Sequence, residues 1–87
     1  MNKEEKEILL SNLKTLKPFV KGAKNLTKLM GIDESTYYLW CQGRRTPKPV
    51  SLMKLAEELK ISPVDLYTKK LVIETYFNFV EPENQII

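Results

Sequence analysis

Histidine is absent from the 87-residue chain, and cysteine occurs once, at Cys41. Without histidine the chain lacks the commonest general base and a common transition-metal ligand. A lone thiol cannot close a disulfide within the chain. No His, Cys or paired acid stands at metal-ligand spacing from Cys41, so neither a metal nor a cofactor is expected. A nucleophile–base arrangement and a phosphate-cradling glycine loop are both missing, and no enzyme is expected. Long apolar runs are missing too, which excludes a membrane span. The opening Met-Asn-Lys-Glu-Glu-Lys-Glu lacks the basic-then-apolar order of a secretory signal. These absences predict a cytoplasmic protein with no membrane contact. The length suits one domain with a modest core.

What is present is an uneven charge. The net charge is +3. Residues 21–48 carry Lys21, Lys24, Lys28, Arg44, Arg45 and Lys48 against Asp33 and Glu34, a net of +4. Residues 49–87 are net −2, and residues 1–20 only +1. A central basic stretch suits a nucleic-acid partner best.

Helical periodicity covers most of the chain. Asn2 and Glu5 form a capping-box pair, and Leu9, Leu13, Leu16 and Val20 follow at helical spacing. Pro18 is expected to end or kink that helix near residues 15–17. Ala23 to Met30 reads as a second short helix stopped by Gly31. Asp33 is a good cap for a third, Glu34 to Gln42, with Tyr37 and Trp40 inward. Residues 43–49, Gly-Arg-Arg-Thr-Pro-Lys-Pro, read as a loop. A fourth helix is expected over about 50–60, with Leu52, Leu55, Ala56 and Leu59 as its stripe. Ser62-Pro63-Val64-Asp65 predicts a short fifth helix capped by Ser62.

The end of the chain changes character. Residues 71–80, LVIETYFNFV, are rich in β-branched and aromatic residues, and Leu71, Ile73, Thr75, Phe77 and Phe79 alternate. The pattern reads as a strand, with a helix burying Val72, Tyr76 and Phe79 as the alternative. The expected organisation is a domain over 1–70 and an extension over 71–87.

Residues 23–42 form one unit. Leu26, Met30, Ile32, Tyr37 and Trp40 stand at −5, −1, +1, +6 and +9 from Gly31, the offsets that two short helices need to pack across a tight turn. The stretch GIDESTYYLWCQGRRTP, with SLMKLAEELKISPVDLY after it, resembles the Cro/lambda-repressor-like helix-turn-helix domains, also called the xenobiotic-response-element type. The resemblance covers about residues 5–69. Thr27 stands where the family usually has alanine, and Gly22 where a serine or threonine usually caps the second helix. The resemblance implies a mainly α, compact five-helix domain that binds double-stranded DNA as a transcriptional regulator, expected to be a repressor.

On that reading Glu34, Ser35, Tyr38, Leu39 and Gln42 face outward on the recognition helix and contact bases. Glu34 equally suits a bland role, complementing the helix N-terminus. Arg44, Arg45 and Lys48, with Lys24 and Lys28 as weaker candidates, are expected on phosphates. The apolar extension, through Ile73, Tyr76, Phe77 and Phe79, is expected to make a homodimer by antiparallel strand pairing. The alternative is an interaction module on the same scaffold, an antitoxin or anti-repressor whose tail binds a partner protein.

Overall fold

Asn2 begins the first helix as its sequence predicts. Its carboxamide oxygen accepts the Glu5 N–H at 2.8 Å, and the Glu5 carboxylate accepts the Asn2 N–H at 2.9 Å. The structure, a computed structural model, describes residues 1–72. Helix α1 runs Lys3–Phe19, through the point where Pro18 was expected to stop it. Pro18 lies in the last turn, so its missing donor costs only the bond to the Lys14 carbonyl. The following residues close the helix with their own N–H groups. Lys21 donates to the Pro18 carbonyl at 3.1 Å and Gly22 to the Lys17 carbonyl at 2.8 Å.

That paired closure, a Schellman motif around a left-handed residue, recurs at the next three helix ends. Helix α2, Ala23–Met30, closes at Gly31, α3, Glu34–Cys41, at Gly43, and α4, Pro49–Leu59, at Lys60. The left-handed position is glycine at Gly31 and Gly43 but lysine at Lys21 and Lys60. At two of these ends the next residue, Ile32 or Ile61, turns its side chain back onto the core. Pro49 occupies the first turn of α4, where a missing donor is harmless. Helix α5, Asp65–Thr68, is short as expected but is not capped by Ser62. A tight turn built on the Ser62 and Pro63 carbonyls leads into it, and Val64 is its cap residue. The proline ring sets that turn, so no side-chain cap is needed.

Helix α1 packs chiefly on α5, and α2 on α4. The core joins Leu9, Leu13 and Leu16 of α1 to Leu26 and Met30 of α2, Tyr37 and Trp40 of α3, the α4 stripe, and Leu66. Each fully buried Leu contributes about 1.5–3 kcal/mol. Asn12 lies among these leucines with no exposed surface. Its Nδ2 donates to the carbonyls of Leu66 at 2.8 Å and Lys69 at 2.7 Å, and its Oδ1 accepts the Leu71 N–H at 2.9 Å. Both of its amide hydrogens and its carbonyl are thereby used, as a buried carboxamide requires.

Leu71 is 3% exposed and belongs to the core. Packing therefore continues one residue past the expected domain end at Lys70. Leu71 and Val72, the first residues of the expected strand, have no regular secondary structure, and the described residues contain no strand. Leu71 faces inward because its N–H is held by Asn12 rather than by another strand. The remainder of that strand, with Ile73, Tyr76, Phe77 and Phe79, lies outside the described residues.

Candidate nucleic-acid interface

Helices α2 and α3 meet at Gly31, whose φ of 70° and ψ of 30° are left-handed. The Gly31 N–H donates to the Lys28 carbonyl and the Ile32 N–H to the Thr27 carbonyl. A Cβ at Gly31 would stand 2.9 Å from the Lys54 ammonium of α4, the far end of a flexible side chain that can swing aside, so what resists a substitution there is the left-handed backbone. Thr27 fits the close approach of the two helices. It is 3% exposed, and its hydroxyl is turned back onto the Lys24 carbonyl at 3.0 Å. Gly22 begins α2 without a side-chain cap.

Asp33 caps α3 by accepting the Thr36 N–H at 2.8 Å. Hydrogen bonds from Thr36, through its side chain and then its N–H, hold the Asp33 carboxyl below the usual carboxylate range. Attraction from Arg45 adds to them. Two turns of helix follow, with opposite faces. Tyr37 and Trp40 are buried and seat α3 on the core. Burial, with Cys41 one turn on, raises the Tyr37 phenol to about 12, so it stays neutral. The Tyr37 ring braces that of Tyr38, with centroids 5.7 Å apart and planes tilted by 58°.

The outward face carries the expected set. Glu34, Ser35, Tyr38 and Gln42 are exposed, while Leu39 is half-buried. Tyr38 keeps 49% of its surface in solvent. An aromatic so exposed, yet fixed by its neighbour, has a shape to offer a partner and little entropy to lose. Gln42 is the cap residue of α3, not its last helical residue.

The basic residues fall into separate places. The loop after α3 is pinned by two bonds to the Leu39 carbonyl, from the N–H groups of Arg44 at 2.9 Å and Arg45 at 3.3 Å. Arg45 and Lys48 come together beside the start of α3, lining a hollow of about 280 Å³ with Asp33, Thr36 and Trp40. Arg44 is exposed on the same loop. Lys28 instead lines a groove with Phe19, Lys21 and Leu29, away from that hollow, and Lys24 is exposed on α2.

The sequence reading passed over α1. Two grooves separate it from α3. One joins Lys3, Lys6 and Leu10 to Cys41, Gln42 and Gly43. The other joins Leu10, Lys14 and Lys17 to Tyr37, Tyr38 and Cys41. The start of α1 therefore lies by the end of α3, and the two helices run side by side in opposite directions.

Among the described residues no group of three or more His, Cys, Asp or Glu side chains could hold a metal ion. No described helix is long and apolar enough to cross a membrane. A helix-turn-helix family model of the Cro/C1 type matches residues 21–66, just over half the chain, from the end of α1 into α5. Comparison with curated proteins and with solved structures gives no match.

Proposed function

Because the chain belongs to the Cro/C1-type helix-turn-helix family, whose members are DNA-binding transcriptional regulators, we propose that it is a sequence-specific repressor that places α3 in the major groove of its operator. Glu34, Ser35, Tyr38, Leu39 and Gln42 read base edges. Tyr38 and Leu39 pack on thymine methyl groups, and Glu34 accepts from cytosine or complements the helix start. Arg44, Arg45 and Lys48, with Lys24 and Lys28, neutralise phosphates and set the register of α3. One such domain contacts a half-site, so the operator is read by a symmetric dimer. Ile73, Tyr76, Phe77 and Phe79 supply its contact.

The observation that carries this reading is the two-sided build of α3. One face is locked into the core by Tyr37 and Trp40, and the other presents Tyr38 to solvent on a rigid support. Selection of bound duplexes from a random pool tests it. The expected result is one enriched motif, palindromic if a dimer binds, whose preference changes in Tyr38→Ala. A pool that stays random after selection by the folded protein would refute sequence-specific reading.

A further inference from the structure

Lys3, Lys6, Leu10, Lys14 and Lys17 follow one another along α1 at intervals of three, four, four and three residues. Side chains so spaced share one face of a helix. That face looks onto α3, because its residues line the two grooves between the helices. The two ends differ in charge. Glu7 shares the groove of Lys3 and Lys6, whereas the groove of Lys14 and Lys17 is lined by no carboxylate. This second groove measures about 560 Å³ and has Ser11 on its α1 wall and Tyr38 on its α3 wall. Tyr38 thus belongs both to the groove and to the outward face of α3.

Neither lysine is committed elsewhere. Among the described residues the ion pair is Lys69 with Asp65, at 3.4 Å on α5. Lys17, in the last turn of α1, complements the helix dipole, but Lys14 lies a turn further in, where that effect has faded. Lys17 is half-buried and lines the groove, and a stem of that length can lie on an apolar wall while its charge stays in water. Two unpaired cations, a hydroxyl and an aromatic edge beside a groove-reading helix match the chemistry of a nucleic-acid backbone.

We infer that Lys14 and Lys17 bind phosphates of the DNA strand that runs alongside α3, so that the interface extends across α1. The inference rests on the proposed docking of α3. It makes α1 part of the contact surface, although residues 1–20 are nearly neutral in sum. The contacts are to backbone and carry no sequence information, so they act on every duplex alike.

Titrations of mixed-sequence duplex DNA across a salt series test this. They use the full chain, the double variant Lys14→Gln with Lys17→Gln, and a charge-matched control, Lys60→Gln with Lys70→Gln. Glutamine keeps most of the stem, and circular dichroism and thermal melts verify the fold. Each phosphate contact contributes about 0.9 to the slope of log K against log salt, so the Lys14/Lys17 variant is expected to lose about 1.8. The control is expected to keep the wild-type slope. An unchanged slope in the Lys14/Lys17 variant overturns the inference and leaves the docking of α3 standing. An equal loss in the control also overturns it, since the effect is then one of net charge. If the wild-type chain binds no duplex at all, the docking of α3 fails and this inference with it.

Discussion

The side chain of Asn12 and the main chain of Leu71 are joined at 2.9 Å across 59 residues of sequence. With the bonds to Leu66 and Lys69, that carboxamide fastens α5 and its exit to the middle of α1. Asn12→Ala leaves an N–H and two carbonyls without their partner, each costing about 1–3 kcal/mol unless water enters. A loss of about 3 kcal/mol is expected, lowering Tm by roughly 12–24 °C at about 4–8 °C per kcal/mol. Differential scanning calorimetry checks it; a shift of a degree or two would mean that Asn12 is not holding α5.

The same contact sets where the chain can be cut. A chain ending at Val72 keeps both the Leu71 side chain and its N–H bond, while one ending at Lys70 loses both. Deleting a buried leucine costs about 2–5 kcal/mol. Chemical denaturation of the two truncations is expected to separate them by at least that lower figure, the shorter being weaker. Equal stability would show that Leu71 adds nothing to the core.

Acid sensitivity is expected from the α3 cap. The Asp33 carboxyl is held below its ordinary value in the folded protein. Its contribution is therefore complete above the unfolded carboxyl pKa and is lost as pH falls through the lower folded one. Asp33→Asn keeps a capping oxygen but has no charge to lose. Melting curves over an acid series are expected to show that variant somewhat less stable near neutrality and with a shallower decline, the two proteins converging at low pH. Parallel declines would remove Asp33 from the acid response.

Two helix ends are built on a residue that resists them. Lys60 holds φ at 58°, where an L side chain costs roughly 1–2 kcal/mol and glycine costs little beyond its own greater chain entropy. Lys60→Gly is expected to raise stability by about 0.5–1 kcal/mol, the balance of those two effects. Lys21→Gly should act alike at the end of α1. A thermal melt that falls in both variants would show that the lysine stems contribute more than the backbone loses.

Base reading and backbone contact separate by their signatures. Tyr38→Ala is expected to cost about 1–3 kcal/mol at the selected site and little elsewhere. Arg44→Ala with Arg45→Ala is expected to weaken all duplexes alike and flatten the salt slope. Titrations on matched and mismatched duplexes distinguish them. The assignments exchange if the arginine variant alters preference and the tyrosine variant does not.

Much of the domain was legible because its punctuation is local. Gly31 marks a left-handed helix end, and Asp33 and Asn2 are caps whose partners stand three residues on. Tyr37 and Trp40 announce a buried face by spacing alone. What escaped depended on partners far along the chain or on context within a turn. Pro18 does not break α1 because it falls where only one bond is lost. Asn12 stands between Leu9 and Leu16 on the apolar face of α1, the visible sign of a buried polar group. Its partners more than fifty residues away were not visible. The lysines of α1 share a face but are diluted by Glu4, Glu5 and Glu7 in any count along the sequence.

The Asn12 clamp also orders events in time. Leu9, Leu13 and Leu16 are synthesised early, yet the core they share includes Leu66 and Leu71, which follow at least fifty residues later. Closing so long a loop costs entropy that only the final contacts repay. Until Leu71 has been added, the apolar side of α1 lacks this partner. The bonds from Asn12 to Leu66, Lys69 and Leu71 thus make the N-terminal helix depend on residues more than fifty positions further along the chain.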